Sequence, residues 1–199
     1  MINYLTRVHF DENILEKSLH EELILAQKRR PLIVTDQGVV SSGLIDRVYN
    51  AVPKGCSFVI FDETPTNPTE AAARAAAQLY IDENCDCLIA LGGGSPIDLA
   101  KAAALNATHE GQMVDYAAIH GGVEKITNRL PPLFAIPTTA GTGSEVGRGA
   151  LIIVDDGRKL GLLSPYFVPT AAICDPTLTY GLPPSLTAAT GMDAITHCI

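Results

Sequence analysis

Positive charge is sparse in this chain of 199 residues. Fourteen Lys and Arg stand against 22 Asp and Glu, a formal net charge of −8. No basic cluster offsets it, so a phosphate backbone is repelled and nucleic-acid recognition drops out as a leading idea. There is no C-x-x-C pair. The five cysteines (Cys56, Cys85, Cys87, Cys174 and Cys198) are odd in number and scattered, so they suggest neither a disulfide framework nor a zinc knuckle and read as reduced thiols. Nowhere do about 18 uncharged apolar residues follow one another, and the opening MINYLTRVHFDENILEK has no basic region ahead of an apolar stretch. A soluble, cytoplasmic protein with no membrane partner is expected. Charged residues make up only 18% against 47% hydrophobic, which argues against disorder and leaves material for one full core.

What is present alternates. A strand is expected over Tyr4 to Phe10 and a helix over Asp11 to Lys28, where Leu15, Leu19 and Leu23 recur at helical spacing. Then LIVT (Leu32 to Thr35), an amphipathic segment from Gly43 to Val52, and SFVIF (Ser57 to Phe61) form a strand, helix, strand unit. The pattern repeats through Glu70 to Glu83, CLIAL (Cys87 to Leu91) and a helix over Pro96 to Asn106. Such alternation predicts a Rossmann-like α/β fold, a parallel sheet covered by helices on both faces. After an irregular stretch holding His109, His120 and Gly121-Gly122, four more strands are expected at LFAIP, ALIIV, KLGLL and AAICD. From Leu182 the character turns helical. Two units are therefore expected, an α/β domain over 1–181 and, over 182–199, the first helix of a truncated all-helical domain whose last residues carry neither a Gly cap nor a Pro stop.

The most specific local feature is LGGGSPID, Leu91 to Asp98, directly after an apolar strand. Its glycines permit positive φ and close backbone approach; Ser95 suits an N-cap, Pro96 the first helical position, and Asp98 the third. Free N–H groups and the helix dipole would then form an anion site of the kind that holds a pyrophosphate. The spacing is neither G-x-G-x-x-G nor a P-loop, and a mere tight turn is the plainer alternative. PTTAGTGSE, Pro137 to Glu145, again follows a strand, and its hydroxyls suit phosphate or ribose oxygens or simply a flexible turn. Its G-S-E-V-G is not the G-x-S-x-G of a hydrolase. Asp36, just beyond LIVT, either accepts ribose hydroxyls and repels a 2′-phosphate, favouring NAD over NADP, or only begins a turn. Asp193 and His197 stand at i and i+4, on one helix face, where they could share a cation or form a surface pair. His9, His20, His109 and His120 have no evident path to that pair.

Together, GGGSPIDLAK, PTTAGTGSE and DPTLTYGLPPSLTAATGMDAITH resemble the iron-containing (group III) alcohol dehydrogenases, and YLTRVHF, RPLIVTDQGV and TPTNPTEAAA extend the likeness over essentially the whole chain. The resemblance implies a dehydroquinate synthase-like α/β domain followed by an all-helical one. It assigns Asp36 to the adenosine ribose of NAD, Gly93, Gly94 and Ser95 to the pyrophosphate, and Asp98 to the nicotinamide end. It adds Asn67, Thr138, Thr139, Thr142 and Lys159 to the cofactor cleft. Asp193 and His197 match the first two ligands of an Fe2+, sometimes Zn2+, site, whose two further histidines would come later and are not in this sequence. The implied reaction moves hydride between a small alcohol, or its aldehyde or ketone, and NAD while the metal polarises the substrate oxygen. A homodimer or higher homo-oligomer, often built on the N-terminal strand, is also implied. Two alternatives stand beside this reading: a truncated, catalytically silent module that binds NAD or dimerises, and a dehydroquinate synthase-like lyase, against which TAATGMDAITH argues.

Overall fold

The computed structural model describes residues 6–199. Its elements run β1 (Arg7–Phe10), α1 (Leu15–Leu25), β2 (Pro31–Val34), α2 (Gln37–Ser41), α3 (Leu44–Ala51), β3 (Val59–Phe61), α4 (Glu70–Asp82), β4 (Cys87–Gly92) and α5 (Gly94–Thr108). Short 3-10 turns between Met113 and Lys125 lead to β5 (Leu133–Pro137), β6 (Gly149–Ile153), β7 (Lys159–Leu163), β8 (Ala171–Cys174) and α6 (Pro184–Cys198). Of the strand expected over Tyr4 to Phe10, the first two residues lie outside the described residues.

Six strands form one sheet in the order β1-β8-β5-β4-β2-β3, every pairing parallel. β2, β4 and β5 are buried along their whole length, as strands covered on both faces must be. Alternation divides their side chains between two cores. Leu32, Val34, Leu88, Ala90, Leu133 and Ala135 pack with residues of α4 and α5. Ile33, Ile89, Leu91, Phe134 and Ile136, joined by Ile173 of β8, face the other way, against Leu15, Leu19 and Leu23 of α1 and Ile45 and Val48 of α3. The doubly covered sheet expected from the sequence is present.

Strand order also locates a crevice. The chain passes from β2 outward to β3, then crosses back to place β4 on the other side of β2. The carboxyl ends of β2 and β4 thus flank a topological switch point, where open parallel sheets bind ligands.

Two segments depart from expectation. β6 and β7 are not strands of the main sheet but a separate antiparallel hairpin, with Gly149 opposite Leu163 and Ile153 opposite Lys159. Only Val154 to Arg158 connect them, with Gly157 at φ +86°, and so short a link permits an antiparallel pair but no parallel crossover. The second departure is α2, one turn and a half of helix that the sequence pattern did not announce. α6 covers the expected helical region, beginning at Pro184, yet none of its residues is buried. Among the described residues no helix is long and apolar enough to cross a membrane.

Candidate functional site

β4 delivers the chain to the crevice through Gly92, whose φ of +147° is open to glycine and where a Cβ would lie 2.6 Å from Pro96 Cγ. α5 starts immediately afterwards. Its N-cap is Gly93, in extended conformation, and no side chain caps it. This corrects the expected capping pair. Ser95 lies inside the first turn and its hydroxyl donates to the carbonyl of Thr66, while Asp98 Oδ2 accepts from Leu151 N–H at 2.9 Å, in the hairpin. With both side chains drawn outward to other segments, the first amides of a fifteen-residue helix remain available to an anion.

The loop after β5 packs onto this turn. A Cβ on Gly93 would stand 3.1 Å from Thr139 Oγ1, and one on Gly94 would meet Thr142 Cγ2 at 2.6 Å. A side chain at Gly94 would thus displace Thr142, and one at Gly93 would press on Thr139. Thr138 is buried, its N–H donating to the carbonyl of Gly92 at 3.0 Å, so it ties β5 to the glycine turn and is not on the open cleft.

A cleft of about 510 Å³ opens at this end of the sheet. It gathers eight of the sequence-predicted positions: Asn67, Gly94, Ser95, Asp98, Thr142, Lys159, Asp193 and His197. Lys159 Nζ donates to Asn67 Oδ1 at 3.0 Å, joining the hairpin to the loop after β3. Gly93 and Thr139, both half-buried, lie in the adjoining turn and loop, and Thr138 is buried beside them. Asp36 lies apart, at the end of β2 on the other side of the crevice. It caps α2, its Oδ1 accepting from Val39 N–H at 2.9 Å, so the turn-beginning role is real and only Oδ2 remains for a ligand. Asp62 and Glu63 follow β3 beside it, Glu63 pairing with Asp36 through the backbone.

Asp98 is the most constrained carboxylate of the cleft. Burial pushes its acidity toward the protonated form, opposed by the Leu151 N–H, the Lys101 ammonium and Ser144. Its Oδ1 is buried with no partner, the Ser144 hydroxyl standing near but outside hydrogen-bonding geometry. An unpaired buried acceptor is costly and suits a ligand's N–H or O–H.

Asp193 and His197 do share one face of α6, with Nδ1 3.5 Å from Oδ1. His197 Nδ1 also lies 3.0 Å from the Asp193 carbonyl, so Nε2 is the ring nitrogen left to meet a cation. The donor types fit a divalent metal. Their number does not complete a site, since no group of three His, Cys, Asp or Glu suited to a metal occurs among the described residues.

Sequence reasoning did not find Lys101, the hairpin wall (Gly149, Leu151, Gly161) or the Thr66 carbonyl. The one available signal was a lone lysine in the otherwise apolar run LAKAAAL.

The family model described as iron-containing alcohol dehydrogenase matches residues 6–176. A 4-hydroxybutyrate dehydrogenase from Cupriavidus necator is 56% identical over 198 residues, spanning 100% of this chain and 51% of that protein. Among solved structures, a 1,3-propanediol oxidoreductase superposes with a TM-score of 0.90 at 37% identity, covering 99% of this chain and 51% of its own. A sulfoacetaldehyde reductase from Bifidobacterium kashiwanohense, solved in complex with NAD+, gives 0.88 at 31% identity, over 97% and 50%. The chain thus spans about half the length of the relatives it matches.

Proposed function

Because the chain belongs to the iron-containing alcohol dehydrogenase family, we propose that it is the nucleotide-binding part of an NAD-dependent alcohol dehydrogenase that, as a whole protein, interconverts a small alcohol and its aldehyde or ketone. The observation that carries this reading is the uncapped N-terminus of α5, opening on a cleft at the switch point of a parallel sheet. In this reading the amides of Gly93, Gly94 and Ser95 and the helix dipole hold the diphosphate, with Thr138, Thr139 and Thr142 shaping the turn. The free oxygen of Asp36 receives the adenosine ribose, and Asp62 and Glu63 add charge that repels a 2′-phosphate. Lys159, held by Asn67, faces ribose or phosphate from the hairpin, and Asp98 Oδ1 accepts a donor toward the nicotinamide end. When bound, the nicotinamide supplies the hydride acceptor.

Asp193 and His197 would supply two donors to an iron or zinc ion, whose chemistry is to polarise a substrate oxygen. Two donors on an exposed helix hold such an ion weakly. That observation favours, for these 199 residues alone, a module that binds NAD without turning over alcohol. Divided at 181/182, the chain has an α/β unit and a helical remainder; α6 has no buried residue and touches the PTTAGTG loop where Gly141 meets Thr190. Exposed Val8 and Phe10 on β1, at the edge of the sheet, support a homodimer built there, and five free cysteines fit a reducing, cytoplasmic location.

Calorimetric titration tests the reading: the purified chain is expected to take up NAD and to discriminate against NADP. Mixed with NAD, Fe2+ or Zn2+ and a panel of short alcohols, it is expected to produce no NADH. Turnover would show that two donors suffice; no uptake of NAD would overturn the assignment of the cleft.

A further inference from the structure

Lys101 is 1% exposed and heads the largest fully buried side chains among the described residues. A buried ammonium must place its three N–H bonds or be expelled. This one places all three on backbone carbonyls of a single stretch of chain: Ser144 at 2.8 Å, Gly147 at 2.9 Å and Gly149 at 2.8 Å. Ser144, Gly147 and Gly149 all line the cleft. Before Arg148 the stretch is otherwise held by tight turns of its own, Val146 N–H to the Gly143 carbonyl and Gly147 N–H to the Ser144 carbonyl; at its far end the Arg148 carbonyl accepts from Ser164 N–H and Gly149 pairs with Leu163 in the hairpin. One helical turn before Lys101, Asp98 grips Leu151 N–H in the same hairpin. Helix α5 thus offers the diphosphate its N-terminus and, from its first two turns, clamps the opposite wall of the same cleft.

We propose that Lys101 is a positioning residue, whose buried ammonium gathers three carbonyls and so fixes the Ser144 to Gly149 wall, together with Thr142 just before it, against α5 in the geometry that admits NAD. The proposal rests on the nucleotide reading of the cleft. Lys101 touches no ligand itself and acts through the wall it holds. Methionine matches the lysine stem in length without its donors, so Lys101→Met leaves three carbonyls unpartnered while disturbing packing little.

The test combines amide hydrogen exchange with calorimetry. In Lys101→Met, exchange at residues 144–149 is expected to quicken while β4 and β5 stay protected, and NAD affinity is expected to fall about 10-fold. Lys101→Ala lacks three methylenes and the ammonium, so propylammonium should restore both readouts, whereas butane, of the same shape but without charge or N–H, should restore neither. A purely steric role for the stem would not distinguish the two molecules. Unchanged exchange and NAD affinity in Lys101→Met would overturn the proposal, as would equal rescue by both. Wild-type chain that binds no NAD would remove the nucleotide reading, and the exchange data would still decide whether the clamp exists. If neither variant folds, the wild type decides: the Lys101 ammonium protons should exchange slowly enough for NMR detection near neutral pH, with cross-relaxation to Gly147 and Gly149, and their absence would refute the clamp.

Discussion

α5 and α6 are both fifteen-residue helices, and both carry residues of the proposed site. α5 buries ten of its residues, from Pro96 to Leu105, while α6 buries none and leaves Leu186, Met192 and Ile195 exposed. On α5 distant segments hold three polar side chains, two that line the cleft and one buried behind its wall. Ser95 is drawn to Thr66, Asp98 to Leu151, and Lys101 to three carbonyls. On α6 the polar contacts are local, with Thr190, Thr196 and His197 bonding only to their own helix. Packing rather than helical sequence makes a site rigid. In the proposed reading the dinucleotide half is fixed by packing around α5, while Asp193 and His197 stand on a helix with no buried residue.

The sharpest way to break this contrast is a pair of truncations at apolar positions. Leu99→Ala on α5 should cost about 2–5 kcal/mol in denaturant unfolding, since the site cannot collapse under the sheet. Ile195→Ala on α6 should stay within about 0.5 kcal/mol. Comparable losses would mean that α6 is held as firmly as α5. Next in size is Gly94→Val, whose added carbon collides with Thr142 and displaces the loop from the helix start; NAD affinity by calorimetry should fall roughly 100-fold or more.

A pH series sharpens the α5 side. Burial, opposed by the facing carboxylates of Asp98 and Glu145, brings the Lys101 ammonium from its ordinary 10.5 down to about 8. Between those values the unfolded chain keeps a proton that the folded chain releases, so stability contributed by this group rises with pH. The stability difference between wild type and Lys101→Met, followed by denaturant unfolding, should therefore shift in favour of the wild type from about pH 8 to 10.5. A flat difference would mean that the three carbonyls and Asp98 offset the cost of burying the ammonium. The smallest effect is expected at Asp36→Gly. Glycine keeps the α2 cap to within a few tenths of a kcal/mol, while NADP affinity should rise about 10-fold; Asp62 and Glu63 remain and limit the gain.

Much of this was legible in residue order. The alternation of LIVT, CLIAL and LFAIP with helical segments announced the parallel sheet, and the run from Leu91 to Asp98 marked where strand gives way to helix. What failed were assignments that depend on distant partners. Ser95 and Asp98 have the spacing of a capping pair, yet Thr66 and Leu151, 29 and 53 residues away, take their side chains. Gly93 and Gly94 read as allowing a turn and close approach to a ligand; that Thr139 and Thr142 crowd them was not legible. ALIIV and KLGLL have the composition of sheet strands, and only the shortness of the link between them forbids parallel pairing. Lys101 showed only as a lone charge in an apolar helix, and its reason lies in carbonyls more than forty residues on.

A crystal of the chain grown with NAD bears most directly on the whole account. The diphosphate should sit against the amides of Gly93, Gly94 and Ser95, with Thr142 beside it and the adenosine ribose toward Asp36. A dinucleotide bound at any other place on the molecule, with the start of α5 facing only solvent, would contradict it.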